Sequence, residues 1–152
     1  MFSRNKIDKW RQILSSDDAS LEEKENAAIL VNTWRASHLL PLSVFERELQ
    51  QFVREIDPGF GMVAQRLKRT PTIIHKIKER KTIDKLSVLQ DVAGLRGIVS
   101  DVGLVREIVE KYQAKSQKWV RIKDYIANPR SSGYRGVHLV YRTPKNLFWK
   151  FN

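Results

Sequence analysis

Cysteine is absent from the 152 residues, so neither disulfides nor thiolate metal sites can hold this fold or carry its chemistry. No apolar run approaches the roughly 20 residues that cross a bilayer, so no membrane partner is expected. The stretch 1–10 is too polar for a secretory signal, and with nothing addressing the chain elsewhere the expected location is the cytoplasm. Acidic residues are scarce: 17 Asp and Glu stand against 28 Lys and Arg, a formal net charge of +11. Beyond Asp124 there is no acid at all. Such a surplus predicts an anionic partner, whether nucleic acid, nucleotide polyphosphate or a charged surface. A coat of solvated lysines is the competing explanation, and the placement of the cations decides between them.

No internal repeat, low-complexity tract or long linker divides the chain, which has room for one domain around one core. The first 20 residues are polar, with a weak helical patch at 10–14, and form an N-terminal segment ahead of a domain spanning 21–152. Ser20 and Glu23 make a capping box that opens a helix carrying Ala27, Leu30, Val31, Trp34 and His38 at helical spacing. Pro41 is expected to break it, and a second box, Ser43 with Glu46, to start the next helix. Asp57-Pro58-Gly59 ends that one. The period then shortens to two over 62–68. Thr70-Pro71 begins a helix expected to reach about Arg80, burying Ile73, Ile74 and Ile77. A strand at 95–99 follows, then a helix capped by Asp101, then strands at 119–123 and 137–142 around the turn-rich run 128–133. Helices followed by alternating strands and helices describe an α+β, α/β-like layer built on one sheet.

Arg66 and Lys68 are two apart on one predicted strand, and Arg121 and Lys123 repeat the spacing on another, with Arg96 between them. Cations gathered on one sheet face are costly unless an anion covers them. Arginine forks suit the oxygens of a triphosphate. A solvated antiparallel face also alternates charge, so the spacing leaves both readings open. Asp91, ahead of Gly94 and a strand, can either cap a turn or hold magnesium beside phosphate oxygens. Tyr125 and Tyr134 flank the turn-rich loop and His138 follows; they can stack a base or simply pack.

Four runs appear in order: Arg66-Leu67-Lys68 with Thr72-Ile73-Ile74-His75-Lys76-Ile77, then Asp91-Val92-Ala93-Gly94-Leu95-Arg96, then Arg121-Ile122-Lys123-Asp124-Tyr125-Ile126, then Gly133-Tyr134-Arg135-Gly136-Val137-His138. Together, from about residue 27 to residue 142, they resemble the RelA/SpoT-type (p)ppGpp synthetase domain. Trp34-Arg35-Ala36-Ser37-His38 and Pro41-Leu42 are similar to the lead-in of its small single-domain members. The resemblance implies a nucleotidyltransferase-type mixed five-stranded sheet flanked by helices. The implied reaction is magnesium-dependent transfer of pyrophosphate from ATP to the 3′-hydroxyl of GDP or GTP. By the same resemblance, Arg66, Lys68, Lys76 and Arg96 contact ATP, and Asp91 is the Mg2+ ligand. Arg121 and Lys123 lie at the transferred phosphates, so Asp91, Arg121 and Lys123 form the catalytic set. Arg130, Tyr134 and His138 take the acceptor, with Tyr134 stacking on guanine. Small family members often form homo-oligomers, and some toxin members modify the 3′ end of tRNA, a partner that suits a charge of +11.

There are two departures. Gly136 stands where the family more often has serine. The family also places a glutamate on its next strand, as metal ligand or base, whereas this chain continues Pro144-Lys145-Asn146-Leu147-Phe148-Trp149-Lys150-Phe151-Asn152. That tail can supply a short apolar strand but no carboxylate. The expectations are a domain incomplete at its C-terminal end, a binding module that holds nucleotides without reacting them, or a substitute acid. The last is the weakest, since Asp124 leaves its strand on the face opposite Arg121 and Lys123, and Glu107 is helical.

Overall fold

Capping chemistry fixes where the helices begin in the computed structural model, which describes residues 2–79, 85–115, 119–142 and 148–151. Ser3 accepts from the Lys6 amide and opens α1, Arg4–Ser15. The Ser20 box is fully made ahead of α2, Leu21–Ala36: Glu23 N–H donates to Ser20 Oγ at 3.2 Å, and Ser20 N–H to Glu23 Oε2 at 2.8 Å. The Ser43 box is not made. Helix α3 runs Leu39–Ile56, so Pro41 sits in its first turn, where a missing N–H costs nothing. Ser43, already inside the helix, donates its hydroxyl to the Leu40 carbonyl at 2.8 Å.

Asp57 ends α3, and its carboxylate accepts from the Ser100 amide at 2.7 Å. Gly61 is needed here for space: a Cβ would overlap the Val53 side chain and stand 2.7 Å from the Asp57 carbonyl. The remaining elements are β1 (Met62–Leu67), α4 (Thr70–Glu79), a 3-10 turn (Leu86–Val88), β2 (Ala93–Ile98), α5 (Val102–Ala114), β3 (Trp119–Asp124), β4 (Val137–Arg142) and β5 (Phe148–Phe151). Asp101 caps α5 as expected, accepting from the Leu104 amide at 3.0 Å. The expected end of α4 at Arg80 lies outside the described residues.

The five strands form one mixed sheet in the order β1-β2-β5-β4-β3, with β2 and β5 parallel and the other neighbours antiparallel. The implied mixed five-stranded sheet is therefore present. The tail supplies its expected short strand, and that strand is central, pairing with Ala93–Leu95 on one side and Leu139–Arg142 on the other.

One sheet face packs on α3 and α5 through Leu42, Leu49, Val53, Ala93, Leu95, Tyr112, Val137 and Leu139. A second cluster joins α1, α2 and α4: Ile7, Trp10 and Leu14 pack against Ala27, Val31, Trp34, Ile73 and Ile77, with Leu86, Leu89 and Val92 from the 3-10 region. The polar first residues thus contain a full helix where the sequence suggested only a patch. Three apolar side chains at i, i+3 and i+7 suffice when a partner face exists.

Candidate functional site

Cross-strand partners share a sheet face, and register therefore sorts the cations. Ala64 pairs with Arg96 and Arg66 with Gly94; Arg121 pairs with Val140 and Lys123 with His138. Their neighbours Leu67, Leu95, Val137 and Leu139 belong to the α3–α5 core. Strict alternation then puts Arg66, Arg96, Arg121, Lys123 and His138 together on the opposite face. The four cations are exposed, whereas His138 is buried.

Lys68 is expected on the strand that carries Arg66, and that strand ends at Leu67. It lies just past β1, where its backbone N–H donates to the Val92 carbonyl at 2.8 Å and its own carbonyl accepts from Arg35 Nε at 2.6 Å. So fixed, its ammonium reaches Asp91 Oδ2 at 2.5 Å. Lys76, on α4, reaches the same oxygen at 2.9 Å. Helix α4 is itself tied to α2 by the Thr70 hydroxyl, which donates to Asn32 Oδ1 at 2.8 Å. Asp91 therefore meets both Lys68 and Lys76.

Burial alone would push the Asp91 carboxyl up, but hydrogen bonds and charge from Lys68 and Lys76 outweigh it and hold the carboxyl below its usual range. Lys68 is the more enclosed partner, its side chain 11% exposed against 38% for Asp91. Burial accordingly lowers its ammonium pKa despite the carboxylate beside it, and Lys76 adds repulsion. Asp91 Oδ1 is buried with no hydrogen-bond partner among the described residues. That orphaned oxygen fits a cation that takes one protein carboxylate and completes its shell with phosphate oxygens, as Mg2+ does. Among the described residues, no group of three or more His, Cys, Asp or Glu could hold a metal.

The acceptor-side residues expected from sequence come together at the other end of the sheet. Tyr134 Oη and His138 Nε2 are 2.8 Å apart. Arg130 donates to Tyr125 Oη at 2.7 Å and stacks over that ring at 4.4 Å. Tyr125, weighed in the sequence only as a flanking aromatic, is the hub of this cluster: its ring lies 4.9 Å from His138 and 5.8 Å from Tyr134, and Lys123 Nζ is 6.0 Å from its centre. Arg130, ahead of Lys123, lowers the Tyr125 phenol pKa. A cleft of about 350 Å³ is walled mainly by apolar residues, among them Leu49 of α3, Val105 and Ile108 of α5 and Leu139 of β4, with Arg96, Tyr134 and Gly136 also lining it.

Asp124 is spent elsewhere. It accepts from the Ile126 and Ala127 amides at 2.9 Å each and pairs with Arg106 of α5, so it holds a turn and a helix on the core side. Two supporting residues had no readable role in the sequence. Arg35 anchors Lys68, and Asp8 of α1 accepts from both the amide and the hydroxyl of Ser87 at 2.8 Å, four residues before Asp91.

Residues 65–149 match the family described as a region found in RelA and SpoT proteins. GTP pyrophosphokinase YjbM of Bacillus subtilis is 34% identical over 102 residues, covering 64% of this chain and 47% of that protein. GTP pyrophosphokinase YwaC of the same organism is 31% identical over 87 residues, covering 54% and 41%. The chain thus spans less than half the length of either relative. Among solved structures, small alarmone synthetase 1 of B. subtilis bound to its product pppGpp superposes with a TM-score of 0.67 at 23% identity, covering 80% of this chain and 70% of that one. Small alarmone synthetase 2 of the same organism gives 0.65 at 20% identity, covering 80% and 71%. Such identities speak for the fold alone. With the motifs in order, the mixed sheet in place and more than half its length matched, the chain belongs to the RelA/SpoT family and carries a (p)ppGpp synthetase-like domain.

Proposed function

We propose that this domain transfers pyrophosphate from ATP to the 3′-hydroxyl of GDP or GTP. The observation that carries the reading is Asp91, held anionic by Lys68 and Lys76 with its second oxygen buried and unpartnered. In the reaction the acceptor 3′-oxygen bonds to the β-phosphorus of ATP as its O–H proton passes to solvent, the bond from that phosphorus to the bridging oxygen of the α-phosphate breaks, and AMP departs. Catalysis of this kind is mostly positioning and charge neutralisation. Arg66 and Arg96 would hold the donor, with Lys68 and Lys76 beside its phosphates. Arg121 and Lys123 face the same space from β3 and would neutralise the transferred group. Mg2+, when bound at Asp91 and phosphate oxygens, would supply Lewis-acid charge. Tyr134, beside His138 and Arg130, would receive the guanine. The pppGpp held by the similar B. subtilis structure supports this acceptor class.

A second reading has its own observation. The strand after β4, where the family carries its glutamate, reads Phe148-Trp149-Lys150-Phe151, with Lys150 in register between Gly94 and Val140. A site holding Asp91 without that second carboxylate would bind nucleotides and not react them.

The test is a transfer assay with labelled ATP and Mg2+, offering GDP, GTP and total tRNA, beside calorimetric ATP titrations of the wild type and Asp91→Ala. Label on GDP or GTP, lost in Asp91→Ala, is the expected result. Label on tRNA alone would replace the acceptor. Magnesium-dependent ATP binding with no label would establish the second reading. ATP binding that ignores both Mg2+ and Asp91→Ala would overturn the metal assignment.

A further inference from the structure

We propose that Gly136 is the specificity-determining residue of the acceptor side, because its missing side chain lets Tyr134 lie on His138 and fixes the ring that receives a purine base. This rests on the acceptor reading above. Gly136 has φ +154°, a conformation L side chains rarely adopt. Space is restricted as well. A Cβ at this position would stand 3.1 Å from Tyr134 Oη, 3.5 Å from its Cζ and 3.7 Å from its Cε1. The nearest of these atoms is the one that meets His138 Nε2 at 2.8 Å. Gly133, with φ +78°, has nothing within 4 Å of its Cβ position and needs glycine for its backbone alone. Gly136 is constrained on both counts.

Its consequence is orientation. Tyr134 is tethered at its tip by His138, itself 7% exposed and unable to follow a displaced phenol into solvent. The ring stands 5.8 Å from the Arg130 guanidinium and remains 37% exposed. An aromatic plate whose rotamer is already fixed loses less freedom on stacking than one that must be ordered by its ligand. A Cβ at 136 would press on the phenol oxygen that meets His138 and displace it by a few tenths of an ångström, enough to disturb a 2.8 Å contact.

The test is a double-mutant cycle of Gly136→Ala and Tyr134→Phe, which removes the atom nearest the added Cβ. Calorimetric Kd values for GDP and for Mg-ATP are measured together with the His138 ring nitrogen NMR shifts of the unliganded proteins. Gly136→Ala should move the His138 shifts as Tyr134→Phe does and raise the Kd for GDP about tenfold. ATP binding, unchanged within about twofold, serves as the folding control. In the Tyr134→Phe background the same glycine change should cost less than about threefold. Unmoved His138 shifts in Gly136→Ala, or additive losses in GDP affinity, would overturn the proposal. A wild type that binds ATP but not GDP would sink the acceptor reading and the specificity role with it, while the shifts would still report whether Gly136 sets the Tyr134–His138 contact.

Discussion

Asp91 divides its two oxygens between structure and chemistry. One neutralises a pair of ammonium groups that would repel each other without it, and the other is buried with no hydrogen-bond partner among the described residues. The residue types were legible in the sequence because the motif carries them. The pairing was not, because Lys68 stands just beyond β1 and Lys76 comes from a helix, so strand alternation says nothing of their meeting at Asp91. His38 shows the opposite case, a titratable group kept neutral. Its Nδ1 meets the Trp34 carbonyl at 3.0 Å, its Nε2 is buried with no hydrogen-bond partner among the described residues, and burial holds its pKa below 6.5. The unfolded chain therefore binds a proton that the folded one refuses as pH falls through 6.5, and stability declines until the folded-state pKa is reached. Urea midpoints at about pH 7.5 and about pH 5.5 should show that decline in the wild type, and His38→Gln should flatten it. An equal decline in both proteins would assign the acid sensitivity to other groups.

At the scale of elements, α1 matters more than its composition suggests. Asp8 meets Ser87 twice, and Ser87 belongs to the 3-10 turn that leads into Asp91. Ser87 is buried, so Asp8→Ala would strand an amide and a hydroxyl away from water, a loss of about 1–3 kcal/mol. We expect a matching drop in urea midpoint and weaker Mg-ATP binding, with GDP affinity unchanged because the acceptor cluster lies across the sheet. Unaltered ATP binding despite lower stability would make α1 a prop for the core alone. The helix starts at Ser20 and Asp101 were legible because a cap is a local hydrogen bond. The Ser43 box misled because proline is as welcome inside a first turn as before one, and the helix began earlier at Leu39. The place of β5 was not legible: nothing in Phe148-Trp149-Lys150-Phe151 says whether its partners are edges or centre, and only the free sides of β2 and β4 decide it.

The molecule as a whole is organised around two apolar clusters that meet at the site. Leu67 touches both, and Val92 and Ala93 belong to one each, so the chain crosses between clusters at Leu67–Lys68 and again just after Asp91. Asp91, Lys68 and Lys76 stand at this seam, so an anion bound there would be held between the α1–α2–α4 helices and the sheet. The same scale holds the question of what a charge of +11 is for. The exposed cations proposed to hold nucleotides would account for part of it, and the remainder either meets a polynucleotide or is merely solvated. Salt separates the two, since each phosphate contact releases counterions. ATP, presenting a handful of charges to one site, should lose less than about tenfold in affinity between about 50 and 200 mM salt. Total tRNA, if gripped across six to ten phosphates, should lose about 10³- to 10⁵-fold over the same range. Steep loss with tRNA would mean that the basic surface is itself a binding surface and would turn the search for an acceptor toward RNA. A shallow slope, or no tRNA binding at low salt, would confine the functional cations to the nucleotide cleft and leave the remainder as solvated surface.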